Sequence, residues 1–182
     1  MYFIFYILYF VFCIFIFYYF KKLQSQIFHR DFPWYIQPIN NTLSKNDYQL
    51  IHGVCNTSNG HHTIYSSLYD SLDQLFKQMN LFTCIRLKIN LLKREDKILE
   101  HGMHVDFKDD VPKGSLTSIL YMNTNNGYTK FETGEKVQSV ENRLVTFSNH
   151  VQHTGSTNNC DTVHRCVMNI NWIKKLNNGE TI

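Results

Sequence analysis

His104 and Asp106 stand one residue apart, and His153 follows 47 residues after the aspartate. Two imidazoles and one carboxylate on a single metal leave positions open for other molecules, the facial arrangement that holds non-haem Fe(II). Arg165 lies 12 residues beyond His153, within His164-Arg165-Cys166-Val167. A cation there can hold an acidic co-substrate, and a guanidinium does so with a planar two-pronged grip that an ammonium lacks. His150 competes with His153 for the third ligand position. The Phe147-x5-His153 spacing and the following Thr154-Gly155 favour His153. His101 has no acidic residue two positions on, His61-His62 reads as a solvated loop, and His52 and His164 are treated with them as non-ligands.

These side chains need a scaffold that brings distant positions to one mouth. In a strand, residues two apart point the same way, so an extended His101–Phe107 turns His104 and Asp106 to one metal. Leu81–Leu92 alternates, with Ile85, Leu87 and Ile89 on one face and Arg86, Lys88 and Asn90 on the other. Leu116–Met122, Thr129–Glu132 and Asn142–Phe147 read as further strands. Asn123–Gly127 has the composition of a tight turn, and Gly134 turns the chain again. His164–Trp172 alternates as well. Arg165, Val167, Asn169 and Asn171 share one face, and Cys166, Met168, Ile170 and Trp172 share the other. Before these strands, Leu68, Leu72, Leu75, Phe76 and Met79 form the stripe of one helix, capped by Ser66 or Ser67. That stripe should pack on the back of the sheet, against the Cys166–Trp172 face. Many short strands with close turns predict a mainly β sandwich or jelly roll.

Length and composition bound the rest. A chain of 182 residues is one domain by size. Residues 1–20 carry no charge and match a hydrocarbon core in length, so they read as a membrane anchor. Lys21 and Lys22 follow at once, which by the positive-inside rule places the domain, 21–182, in the cytosol. Phe32–Ile36 reads as an extended segment opened by Pro33, Ser58–His62 as a loop, and Asp109-Asp110 as a surface turn. Asn40-Asn41-Thr42 and Asn56-Thr57-Ser58 are glycosylation sequons that matter only in a lumen. Five cysteines without a C-x-x-C pair read as reduced thiols rather than a disulfide framework. A net charge of +3 implies by itself no strong attraction to nucleic acid or to an anionic membrane, and a nucleic-acid demethylase ranks third among the readings. The Lys88, Lys93, Arg94 and Lys97 cluster is diluted by Glu95, Asp96 and Glu100.

Residues from about 81 to 172 resemble the iron(II)- and 2-oxoglutarate-dependent dioxygenases, especially the prolyl-4-hydroxylase-like branch. The matching pieces are His104-Val105-Asp106, Tyr121-Met122-Asn123 with Gly127-Tyr128-Thr129-Lys130-Phe131, Asn142–Phe147, His153-Thr154-Gly155 and His164-Arg165-Cys166-Val167. The resemblance implies a double-stranded β-helix. It implies that His104, Asp106 and His153 bind Fe(II), and that Arg165 pairs with the distal carboxylate of 2-oxoglutarate. Thr129 and Asn90 are placed as further co-substrate contacts. O2 would be the second co-substrate, succinate and CO2 the by-products, and the primary substrate a protein side chain such as proline or a small molecule. The sequence departs from the prolyl hydroxylases at Arg165, where they carry lysine, and at Asn126-Gly127, where a Gly-Gly pair is usual. A non-catalytic cupin-like jelly roll that binds a metal or ligand is the alternative reading.

Overall fold

The computed structural model of the chain describes residues 17–39, 47–107, 112 and 114–175. Helix α1 (Phe17–Ile27) opens it. Then come strands β1 (Tyr35–Pro38), β2 (Tyr48–Ser58) and β3 (His61–Ile64). A 3-10 turn (Ser67–Leu72) leads into α2 (Asp73–Met79). The remaining strands are β4 (Leu81–Lys93), β5 (Ser115–Tyr121), β6 (Tyr128–Phe131), β7 (Lys136–Gln138), β8 (Leu144–Ser148), β9 (His153–Gly155) and β10 (His164–Lys174). The larger sheet runs β1-β2-β4-β10-β5-β8, with β3 hairpinned onto β2, and the smaller runs β7-β6-β9; every pairing is antiparallel.

From β4 onward the chain passes back and forth between the two sheets, which makes this mainly β structure a jelly roll. Asn123–Gly127 is therefore a crossing between sheets and not a hairpin turn. Its asparagines still do the local work. Asn123 Oδ1 accepts from Cys166 N at 3.0 Å, and Asn125 Oδ1 accepts from Gly127 N at 2.9 Å. The true hairpin turn lies earlier, at Asn59 and Gly60, both at positive φ, between β2 and β3. The expected Ser58–His62 loop is thus shortened to two residues.

One face of the larger sheet lies under the helices. Leu87, Ile89, Cys166, Met168, Ile170 and Trp172 pack with Leu68, Leu72, Leu75 and Met79 in one core, as the alternation predicts. Ser66 Oγ caps the helical stretch by accepting from Leu68 N at 3.2 Å. The stretch is two elements and not one helix, because the chain tightens to 3-10 geometry before α2. Asn80, in the left-handed region at φ 53°, ends α2 and delivers the chain straight into β4. The other face of the sheet and the smaller sheet enclose a second core of Ile119, Tyr121, Phe131, Val137, Val145, Phe147 and Val167.

Of the expected anchor, residues 1–16 lie outside the described residues. Residues 17–20 form the first turn of α1, and Phe20 is fully buried with Leu23 and Ile27 against the main core. Gln24 Nε2 donates to Met122 O and to Glu141 Oε2, and Lys21 pairs with Glu141, so α1 is tied to the sheet. Among the described residues no helix is long and apolar enough to cross a membrane. The first sequon and Asp109-Asp110 also fall outside the described residues, while Asn56 and Thr57 sit inside β2.

Candidate metal centre

His153 opens β9, and its backbone exchanges two hydrogen bonds with His104, each at 3.0 Å. The expected strand around His104 is thus a correction. His104 makes an isolated bridge on the edge of the smaller sheet, and the chain bends at Asp106 instead of continuing extended. The convergence survives because the bridge sets the two rings side by side, with centroids 4.8 Å apart. The donor atoms of His104, Asp106 and His153 all lie within 4.8 Å of one another. His150 is exposed in the turn after β8 and takes no part. His52 is a structural bridge between Pro33 O and Ser66 Oγ, and His61 and His62 lie exposed on β3.

The surroundings of each donor favour metal binding. His104 Nδ1 faces Gly102 O and His153 Nδ1 faces Val151 O, both at 3.1 Å. A ring nitrogen facing a carbonyl must carry the proton, so Nε2 of each ring keeps its lone pair for a metal. Burial pushes the His153 imidazole below its ordinary value, against the opposing pull of Asp106, and keeps it neutral. Asp106 Oδ1 accepts from Arg86 Nη2 at 3.0 Å. Its Oδ2 accepts from Asn171 Nδ2 at 2.9 Å and Thr117 Oγ1 at 3.0 Å. Burial alone would raise the Asp106 carboxyl. The nearby His153, Arg86, Asn171 and Thr117 outweigh burial and hold it below the usual carboxylate range. Asn171 Oδ1 also accepts from Arg86 Nε at 3.0 Å, so one asparagine orients both partners of the ion pair. Two imidazoles and an ionised carboxylate, each fixed by a second partner, fit Fe(II).

Arg165 lies deeper in the same cavity, at 2% exposure. Its Nε donates to Ser139 Oγ at 2.8 Å and its Nη2 to Thr129 Oγ1 at 3.3 Å. Tyr121 places its ring 5.6 Å from the guanidinium carbon and donates its own hydroxyl to Thr129 Oγ1 at 2.8 Å. Among the described residues no carboxylate pairs with this buried guanidinium. Gly127 makes room for it, since a Cβ there would stand 2.6 Å from Arg165 Cδ. A Cβ on Gly155 would meet Arg165 Nη1 at 3.4 Å. Gly155 is two residues from His153 on β9, so the guanidinium and the imidazole serve one face of the same strand and line one cavity.

Asn90, Lys88, Thr129, His101 and Asn169 line the same cavity, whose volume is about 280 Å³. The donors that hold Asp106 and the Tyr121–Ser139 cradle of Arg165 were not singled out from sequence. Their signal was polar residues at inward positions of otherwise apolar strands: Thr117 on β5, and Asn169 and Asn171 on β10.

No protein-family model matches the sequence, and no curated protein matches it either. Solved structures do match. A 2OG-Fe(II) oxygenase family oxidoreductase from Burkholderia pseudomallei superposes with TM-score 0.60 at 11% identity, over 85% of this chain and 77% of its own. The fold is that of the 2OG-Fe(II) oxygenases. A Pseudomonas putida prolyl-4-hydroxylase matches with TM-score 0.56 at 17% identity, over 87% of each chain. A Trichoplax adhaerens prolyl hydroxylase, solved with a hypoxia-inducible-factor peptide, matches with TM-score 0.51 at 10% identity, over 86% of this chain and 77% of its own.

Proposed function

We propose that this chain is an Fe(II)- and 2-oxoglutarate-dependent dioxygenase that hydroxylates a C–H bond of its substrate. The observation that carries the reading is the pairing, in one cavity, of the His104–Asp106–His153 donor set with a buried guanidinium that no carboxylate among the described residues pairs. A buried unpaired charge is costly, and a ligand carboxylate relieves that cost.

In this reading His104 and His153 hold the metal through Nε2 and Asp106 through its carboxylate. Bound Fe(II) supplies O2 activation, coupled to conversion of 2-oxoglutarate to succinate and CO2. Arg165 holds the far carboxylate of 2-oxoglutarate, with Thr129 beside it. Asn90 stands next along β4, opposite Val167, between Arg165 and the metal end. Leu92, Ile119 and Val167 line the passage between the two ends and keep water from the co-substrate's methylenes. The protein's own share is thus orientation and shielding. A non-catalytic cupin-like module is the weaker reading, because metal binding alone gives no use for Arg165.

The test is succinate formation by the purified protein with Fe(II), 2-oxoglutarate and O2, beside a His104→Ala control. Iron-dependent succinate that disappears in the control supports the reading. Absence of succinate, together with absence of 2-oxoglutarate binding by the iron-loaded protein, overturns it.

A further inference from the structure

The cavity holds a second cation for which the proposed reaction has no use. Lys88 lies on the inward face of β4, directly opposite Asn169 of β10 and two residues from Asn90. It is half-buried and lines the cavity. Among the described residues no carboxylate forms an ion pair with its ammonium, and no acceptor hydrogen-bonds it. Asp106 is near enough to act on it electrostatically, but the Asp106 oxygens are taken up by Arg86, Asn171 and Thr117. Burial and the neighbouring Arg86 both work against the charge on Lys88.

Two further polar atoms at the same level are buried without partners. Among the described residues, Asn90 Oδ1 and Asn169 Oδ1 accept no hydrogen bond. Both are acceptors, and 2-oxoglutarate offers only acceptors, so it cannot satisfy them. Lys88, Asn90 and Asn169 thus ask for one molecule that carries both an anion and N–H or O–H donors. The charge count agrees. Lys88 and Arg165 line the cavity as cations, and its one lining carboxylate, Asp106, is already ion-paired with Arg86, so positive charge is left over. Fe(II) and doubly ionised 2-oxoglutarate cancel each other, so the surplus remains in the loaded site. A cavity of about 280 Å³ lies at the small end for a ligand site, which limits what can share it with 2-oxoglutarate.

We infer that Lys88 is the anchor for the primary substrate, and that this substrate is a small carboxylic acid bearing hydrogen-bond donors, the chemistry of a free amino acid or hydroxy acid. The inference rests on the dioxygenase reading above and narrows its substrate. Lys88 takes the substrate carboxylate, while Asn90 Oδ1 and Asn169 Oδ1 accept from its ammonium or hydroxyl. Asn90 Nδ2 remains free to face 2-oxoglutarate.

Calorimetry under nitrogen tests this without turnover. The full chain, saturated with Fe(II) and 2-oxoglutarate, is titrated with the free proteinogenic L-amino acids and short 2-hydroxy acids, each beside its primary amide. The expected result is at least one acid that binds about tenfold or more tightly than its amide, a preference of about 1.4 kcal/mol. Lys88→Met and Lys88→Gln should abolish that preference, while 2-oxoglutarate affinity stays within about threefold because Arg165 is intact. Melting curves confirm that each variant is folded, and the Gln variant serves if the Met variant is not. If no acid outbinds its amide, the inference is overturned. If the variants instead lose 2-oxoglutarate affinity and leave the acids alone, Lys88 grips the co-substrate and the inference is again wrong. Failure of the wild-type protein to bind 2-oxoglutarate at all is a separate result, which removes the dioxygenase reading itself.

Discussion

Arg165→Met separates a ligand-binding role from a structural one, because the two predict opposite signs. The guanidinium is fully buried and makes two hydrogen bonds, to Ser139 and Thr129. Losing them costs about 1–3 kcal/mol at ~0.5–1.5 kcal/mol each. Ser139 is a hydroxyl that can turn, and Thr129 keeps its bond from Tyr121, so the loss falls toward the low end. Against it stands relief of a buried charge that no carboxylate among the described residues compensates, worth several kcal/mol. A methionine fills most of the volume with a flexible apolar chain. The metal-free, ligand-free variant should therefore be as stable as the wild type or more so, measured as the urea midpoint at constant slope. Its affinity for 2-oxoglutarate should fall by about 2–5 kcal/mol, which is roughly 30-fold to several thousand-fold. Calorimetric titration of the iron-loaded protein under nitrogen reads this directly. A variant destabilised by about 2 kcal/mol or more that binds 2-oxoglutarate normally would refute the reasoning, since Arg165 would then be structural.

Three further outcomes follow from the same geometry. Gly127→Ala places a methyl against Arg165 Cδ, Thr157 O and Asn125 Oδ1, all under 3.0 Å, and the backbone carbonyl cannot swing away. It should cost about 1–3 kcal/mol in urea unfolding and weaken 2-oxoglutarate, with metal affinity unchanged. Asn171→Leu removes the donor that fixes Asp106 and the acceptor that fixes Arg86, so Fe(II) affinity should fall about 10- to 100-fold in a competition titration. The third outcome concerns pH. The folded-state value of His153 is lowered, so the unfolded chain takes up the proton first. Stability of the metal-free protein should then fall as the pH drops below the ordinary histidine value of about 6.5. Asp106 is shifted the same way from a lower starting point, so its contribution is lost only at more acidic pH. Urea midpoints of wild type and His153→Gln should converge as the pH is lowered from 8 toward 5.5, and parallel curves would contradict the assignment.

The sequence made the sheet legible where one face had to be apolar. The alternation in β10 placed Cys166, Met168, Ile170 and Trp172 under the helices and left Arg165 facing inward, and the structure agrees. It was less legible where the partner was not a periodic neighbour. The Phe17–Ile27 helix was hidden because its buried stripe of Phe20, Leu23 and Ile27 merges with an uncharged run that looks like a span at either end. Strand β2 was missed because Tyr48–Ser58 carries His52, Gly53, Asn56 and Thr57, whose β character comes from pairing with β4 and not from local preference. The candidate ligands His104, Asp106 and His153, which the structure brings together, were visible as a spaced motif. The residues that orient them were not, since Arg86, Thr117 and Asn171 come from three strands and meet only through the register of the folded sheet.

That register also explains how one sheet can be both stable and reactive. Leu87 and Ile89 on β4, and Met168 and Ile170 on β10, face the helices and bury apolar area at roughly 25 cal/mol per Å². On the opposite face, Lys88 and Asn90 on β4 and Asn169 on β10 line the cavity and carry a charge or an unsatisfied amide, while Arg86 and Asn171 hold Asp106. Stabilisation is thus concentrated on one side of the sheet and the cost of the site on the other, a single residue's rise apart. A shift of one residue in the β4–β10 register would exchange the two sets and leave neither a core nor a site. Substitutions of the inward polar residues by apolar ones of similar size should accordingly be tolerated by the fold while disabling ligand binding. The same exchange at Leu87 or Met168 should unfold the protein before any effect on the site can be measured.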